Sequence, residues 1–439
     1  MELRTSFKRA DAPKDLIHLA RTLDNAEISS EDSDFGQAVK RNYKPFWLTD
    51  RKIIMSDETL GAISQLEIQI SRHDCLIGTS DLGPSLARVM ARMDGIFVAL
   101  LNGMRANYRL CCYLDFLQIW GAISPKGRFD PDKLSSLGLR SSESGTISAS
   151  RCAQQMETIE LNSLYGAAPD LITPSHVLSL QQAINHAFHP TMPSGFRSWD
   201  LEASDTPSDK QPPLDIAYQP PAPLELPAYL QDLVNFLNES PLGPIAKTSL
   251  AYYQLEATKM FPSGNDQLGR ALLVGIWRNM GLIKYIMPPI AITPALAQRQ
   301  HNDVLKPYQR RQGASEMLMV DEWVYHTACA SRNALEVMQY GHTLSRQTLD
   351  RWRETLTKAS VRLTSNIERF LVAIVGTPIF STTTIAKTIE TTFTTSTKII
   401  STLETHGIIR QISQGRRNKV YECPDAVDLF ERIVPDMAS

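Results

Sequence analysis

The run from Lys259 to Met280, KMFPSGNDQLGRALLVGIWRNM, constrains the fold more than any other part of the chain. Pro262-Ser263-Gly264-Asn265 is a turn sequence between two helical patterns, because proline presets one dihedral and glycine supplies a left-handed one. After it, Leu268, Leu272, Ile276 and Met280 recur at four-residue spacing with Leu273 and Trp277 beside them, the apolar stripe of a helix. Before it, Ile245, Tyr252, Tyr253 and Ala257 fall towards one face of an incoming helix. Such a segment must be packed on both arms. Its turn opens a helix whose first N–H groups are unpaired and whose dipole is positive there, which is a place for an anion. Arg270 follows closely and points back towards that place.

At 439 residues, the chain is expected to form one large domain and at least one small one. An apolar fraction of 43% and a charged fraction of 21% are those of a soluble globular protein. A net charge of -2 gives no overall pull towards nucleic acid or membrane. No apolar run reaches the ~20 residues of a membrane span, and the opening stretch MELRTSFKRADAPKD has no apolar core of a secretory signal. The six cysteines, at 75, 111, 112, 152, 329 and 423, include no CxxC pair and no histidine at ligand spacing. They read as free thiols, and the chain as cytoplasmic, with no metal site.

Local patterns divide the chain into an N-terminal arm over 1–50, a helical domain over 51–355, a small module over 360–425 and a tail over 426–439. Helices are expected from Ser56, from Pro84, over 107–120, over 152–165, and over 174–188 behind a Thr173 cap. The Ser- and Gly-rich stretch 121–150 reads as an exposed insert. Residues 189–227 are rich in proline and read as extended. An amphipathic helix follows from Leu226 to about Asn238, and long helices from Thr293 to about Lys358. His301, His326 and His342 read as surface or core residues rather than ligands. In the last module, three short helices (about 361–374, 382–390 and 394–405) precede two β-rich runs, IIRQIS and NKVYEC. That order is a winged helix-turn-helix with Ser396–Leu403 on the recognition helix. Lys398, Arg410, Arg416, Arg417 and Lys419 form its basic cluster, and the hydroxyls of Thr394–Thr397 could bond phosphates. Duplex DNA is the partner this implies.

The central run resembles the signature of the Fic family, nucleotidyl transferases that move AMP onto protein hydroxyls. The family pattern HPFxDGNGRxxR aligns with KMFPSGNDQLGR without a gap. Phe261, Gly264, Asn265 and Arg270 match it. Lys259 stands for the histidine, Met260 for the proline, Ser263 for the aspartate, Asp266 for the second glycine and Gln267 for the first arginine. Gly195-Phe196-Arg197 resembles the family's PGxFR element. Residues 216–221, IAYQPP, resemble its flap, and LAYYQLEATKMF its incoming helix. The stretch VALLNG is similar to the family's inhibitory helix, with Asn102 in place of the glutamate and Val98 in place of the serine. A winged module is also a common family appendage.

The resemblance implies a mainly α protein: a Fic-fold helical bundle with a small β-hairpin flap at about 214–222, followed by a winged helix-turn-helix. It implies ATP with Mg²⁺ as the cofactor, and a protein target presented along the flap at Tyr218. Lys259 falls at the position of the catalytic base, and Ser263, Gly264, Asn265, Asp266 and Arg270 at the nucleotide site. A protonated lysine is no base at neutral pH, since its reference pKa is about 10.4. A serine hydroxyl is a poor Mg²⁺ ligand beside a carboxylate, and Asp266 brings negative charge to where phosphate would lie. Two function classes follow. One is a divergent enzyme of AMP transfer with residual nucleotide binding. The other is a DNA-binding regulator or adaptor built on an inactive Fic domain. No membrane partner is expected, and the oligomeric state is left open.

Overall fold

The computed structural model describes residues 41–43, 45–50, 52–119, 144–166, 171–189, 191–201, 216–218, 220–297, 316–413 and 419–434. In order they form β1 (Arg41–Tyr43), α1 (Asp57–Gly78), α2 (Gly83–Leu101), α3 (Tyr108–Ile119), α4 (Ser144–Tyr165), α5 (Pro174–Phe188) and β2 (Ile216–Tyr218). Then come α6 (Leu226–Glu239), α7 (Pro244–Thr258), α8 (Asn265–Asn279), α9 (Ile292–Leu296) and α10 (Glu316–Lys358). The last elements are α11 (Ser365–Gly376), β3 (Ile379–Ser381), α12 (Thr382–Thr388), α13 (Phe393–Thr405), β4 (Arg410–Gln411), β5 (Val420–Glu422), α14 (Pro424–Val427) and α15 (Leu429–Ile433). The protein is mainly α, as expected. Contacts divide it into two units, one built from 1–69, 167–282 and 296–332, the other from 70–166, 283–295 and 333–439.

In the first unit α7 is the central element. Every residue from Ile245 to Thr258 is buried, where the sequence suggested a single apolar face. Its polar groups are therefore bonded inside: Lys247 Nζ donates to the Leu237 carbonyl at 3.0 Å, Ser249 Oγ to Ile245 O at 2.7 Å, and Gln254 Nε2 to Phe46 O at 2.8 Å. The stripe of α8 is buried at Leu268, Leu272, Ile276 and Trp277, but Met280 closes the helix and stays 40% exposed. The arm residues 45–49 are held rather than loose. Leu48 and Thr49 N–H groups donate to the Asp232 carboxylate at 2.7 and 3.2 Å, and Tyr229 OH donates to Pro45 O at 2.8 Å. The expected flap hairpin is instead a parallel pair, with Ile216–Tyr218 in register with Arg41–Tyr43. Parallel strands need no tight turn between them, so local sequence carries no sign of the pairing.

In the second unit α2 is buried along most of its length. At Gly95 it meets α4 so closely that a Cβ would lie 2.3 Å from the Ala153 carbonyl oxygen. Ser144–Ser150, read as part of an insert, form the first turns of helix α4; residues 120–143 lie outside the described ones. The Asp74 carboxylate accepts the N–H groups of Lys284, Tyr285 and Ile286 at 2.7, 3.0 and 2.7 Å, fixing the segment after α8. Residues 426–434, expected as tail, pack as helices, and Phe430 lies 5.0 Å from Tyr108 ring to ring. The three strands order as β3-β5-β4, both pairs antiparallel. Strand β3, which opens the module's sheet, has no counterpart in the sequence reading. None of the six cysteines is in a disulfide.

Candidate functional site

Helix α7 ends at Lys259, which takes the left-handed conformation at φ 46° and ψ 52°. Helices commonly stop this way, though usually on glycine, because a Cβ is disfavoured there. The Lys259 ammonium turns back onto the Glu256 carboxylate in an ion pair and is one-third exposed. Beneath the cap lies Arg197, 2% exposed. Its Nε donates to the Lys259 carbonyl at 2.9 Å and one terminal nitrogen to Trp199 O at 2.9 Å; the other donates to Thr258 O and Pro221 O. Its own N–H reaches Met260 O at 3.1 Å. Phe196 stacks on Phe261 with centroids 5.7 Å apart and planes 10° from parallel. The Gly195-Phe196-Arg197 element and the central run, 62 positions apart at Arg197 and Lys259, thus meet as one structure.

The turn is held by its own side chains. Asn265 Nδ2 donates to the Phe261 carbonyl at 2.9 Å, and Asn265 Oδ1 accepts the Phe261 N–H at 3.1 Å. Ser263 Oγ donates to Asn185 Oδ1 at 2.7 Å, and the Asn185 amide donates to Met192 O and Ser194 Oγ at 2.8 and 3.2 Å. Gly264 sits at φ 79°, a conformation that favours glycine, and Ile184 Cγ2 lies only 3.2 Å from where a Cβ would be, a tight approach.

Asp266 occupies the first turn of α8. One of its oxygens accepts from Tyr252 OH and from Arg270 Nε, the latter at 3.2 Å. Arg270 also donates to Tyr252 OH at 3.3 Å and lies 5.3 Å from that ring's centroid. The arginine side chain is 7% exposed and the aspartate 26%. Burial, with Asp266 adding to it, holds the Tyr252 phenol well above its usual range against the pull of Arg270, so Tyr252 is a neutral donor. Burial, helped by the Arg270 charge, pushes the nearby His326 down to about 4, so it is a neutral core residue stacked on Trp323. The cation that could grip an anion is matched by a carboxylate four residues earlier, and the positive end of α8 already carries that negative charge. Ser263 Oγ donates to a neutral amide, so the residues present do not fit a bound Mg²⁺.

Asn102 lies in the other unit, where it ends α2: its Nδ2 donates to Val98 O at 2.8 Å, and the chain leaves through Gly103 at φ 72°. Tyr218 is described only as part of the backbone of β2, one edge of which β1 occupies. Lys398 and Lys419 are exposed, while Arg416 and Arg417 lie outside the described residues. Arg410, 59% exposed, bonds the buried Glu422 at 2.7 Å, a carboxylate that Arg109 also reaches; Ser396 is fully buried and so not free for phosphate. Sequence reasoning passed over Glu256, Asn185 and the hydroxyl of Tyr252. Only the Asp266–Arg270 spacing announced its pairing.

No protein-family model matches the chain, and no curated protein matches it in sequence. Solved structures do match. A Fic family protein from Desulfovibrio desulfuricans G20 aligns at 14% identity and TM-score 0.43, over 84% of this chain and 97% of that one. A fragment of Fic-1 from C. elegans, residues 134–508, aligns at 15% identity and TM-score 0.38, over 66% of this chain and 76% of that one. The chain resembles Fic proteins in structure.

Proposed function

We propose that this chain is a Fic-fold protein in which the motif turn is scaffold, and that it does not transfer AMP. The observation that carries this is the Asp266–Arg270–Tyr252 cluster, in which the one arginine retained from the family pattern is bonded internally. An incoming triphosphate would have to displace Asp266 from Arg270 and would meet its charge. The Lys259 ammonium, paired with Glu256, has no lone pair with which to take a proton from a hydroxyl. Titration of the full chain with ATP by calorimetry is expected to show binding no tighter than about 1 mM, the same with and without Mg²⁺. Radiolabelled AMP is expected to label neither the protein nor a lysate. Micromolar Mg²⁺-dependent binding, or labelling abolished by Lys259→Ala, would overturn this reading.

The C-terminal module supports a second reading, as a DNA-binding regulator. Residues 360–425 run in the order of a winged helix-turn-helix, and α13 exposes Phe393, Thr394, Thr397 and Lys398 on its first two turns. Lys398 would meet phosphate or base edges, and Lys419, beside the wing, phosphate. With the full chain and a labelled duplex at about 50 mM salt, fluorescence anisotropy is expected to show binding that weakens steeply as salt rises, because each phosphate contact releases a counterion. Lys398→Glu should weaken it by about tenfold or more. An absence of binding at low salt would end this reading and leave the first untouched.

A further inference from the structure

Helix α13 has two opposite faces. Ser396, Ile399, Ile400 and Leu403 are buried on one. On the other, Phe393, Thr394, Thr397, Lys398 and Ser401 are exposed, a spacing that keeps them together on one side of a helix. The Phe393 ring is well out in solvent, the residue being 60% exposed. The threonine hydroxyls beside it are partly spent on the helix itself. Thr392 Oγ1 donates to Thr395 Oγ1 at 2.9 Å and accepts the Thr395 N–H at 3.1 Å, and Thr397 Oγ1 donates to the Phe393 carbonyl at 2.9 Å. With its proton used in this way, Thr397 offers a partner a methyl group and an acceptor, and no donor.

Base edges in the major groove call for different side chains. Arginine or lysine suits guanine, asparagine or glutamine adenine, a carboxylate cytosine, and an apolar contact from alanine, threonine or phenylalanine the thymine methyl. Over residues 393–401 the exposed face of α13 carries no arginine, asparagine, glutamine or carboxylate. It carries a phenyl ring, two threonines, a serine and one lysine. The exposed carboxylates lie beyond it, Glu390 before the helix and Glu404 in its last turn. We propose that this face reads thymine methyl groups in the major groove, with Phe393 and Thr397 making the apolar contacts, so that the preferred duplex is rich in A·T pairs. The proposal rests on the DNA-binding reading above and adds which base edge is read and by which groups. A face that only gripped phosphates would be served by a donor at residue 393, where a phenyl ring can bond nothing polar.

The test uses the full chain and fluorescence anisotropy at about 50 mM salt. The probes are labelled duplexes of one length, and so of one charge, with alternating A·T, A·U, I·C or G·C pairs. A·U lacks only the methyl groups of A·T. I·C, without the guanine amino group, has the minor groove of A·T and the major groove of G·C. A·T is expected to bind tighter than each of the other three by about tenfold, since a methyl group taken out of water is worth about fourfold and two or more are touched. Phe393→Ser should cut that preference to about threefold or less. Circular dichroism checks that the variant is folded, as an exposed position leads one to expect. Equal affinity for A·T and A·U would overturn the proposal and leave the DNA-binding reading standing. So would I·C binding as tightly as A·T, or a preference that Phe393→Ser leaves unchanged. If no duplex binds at this salt, the DNA-binding reading itself falls and the proposal with it.

Discussion

Replacing Arg92 with methionine is expected to lower the stability of the protein by about 3–5 kcal/mol, as for other buried ion pairs broken on one side. Arg92 is fully buried on α2. It grips the Glu157 carboxylate with two nitrogens at 3.1 and 3.0 Å, approaches Asp115 at 3.4 Å, and donates to the Gly376 carbonyl at 3.3 Å. One side chain therefore joins α2, α3, α4 and the end of α11. Methionine of similar length would fill the volume but leave Glu157 without its cation. The loss should depend on pH. Burial already pushes Glu157 up to about 7 from an ordinary 4.5, against the pull of Arg92. Without Arg92 it rises further. A carboxyl whose folded pKa is raised binds its proton more tightly folded than unfolded. The stability this gives is present in full below the unfolded value and is lost as pH climbs through the folded one. The Arg92→Met penalty, read from urea unfolding, should therefore be smaller near pH 5 than at pH 8. An equal penalty at both would show that Glu157 is not left as the uncompensated charge.

Arg197→Met should lower stability by about 3 kcal/mol or more, because it leaves four carbonyls without their donor, three of them in buried or half-buried residues, each bond to a charged group being worth about 1.5–3 kcal/mol. Those carbonyls belong to Thr258 and Lys259 at the end of α7, to Trp199, and to Pro221. Lysine keeps the charge but not the fork, and is expected to recover only part of the loss. Hydrogen exchange offers a second reading: the amides of Phe261 and Leu268, bonded within and just after the turn, should exchange faster in the variant. A change in stability under about 1 kcal/mol would mean that water or another donor replaces the guanidinium.

Elements whose signals lie within a few residues were legible in the sequence. Thr173 before Pro174 marks the start of α5, and its hydroxyl does accept the His176 N–H at 3.3 Å. The stripe from Leu226 to Leu237 marks α6. Elements settled by distant partners were not legible. Ser144–Ser150 has a loop composition, yet it forms the first turns of α4; only Ala149 and Ser150 in it are buried, and the helix is anchored further along, where Ala153 lies against Gly95. Strand β3 is three residues long and exists through its pairing with β5. At the candidate site, the family pattern located the turn and the arginine beneath it. The chemistry was harder to see, because Asp266 was weighed as a replacement for glycine and not as the partner of Arg270.

The way the chain alternates between its two units has a consequence for its synthesis. The first unit takes segments from 1–69, 167–282 and 296–332, and the second takes everything between and after them. The first unit therefore lacks its Trp323 and Asp321 contacts, to Ser249 and Ser56, until residues near 332 have left the ribosome. The second cannot bond Arg109 to Glu422 until almost the whole polypeptide is made. Proteins with separate consecutive domains can fold them one at a time as they emerge. Here helices α1–α7 must wait, incomplete and with apolar faces uncovered, for sequence still to be translated. Truncated products of this gene should accumulate as aggregates or chaperone-bound chains, and no continuous fragment corresponds to either unit.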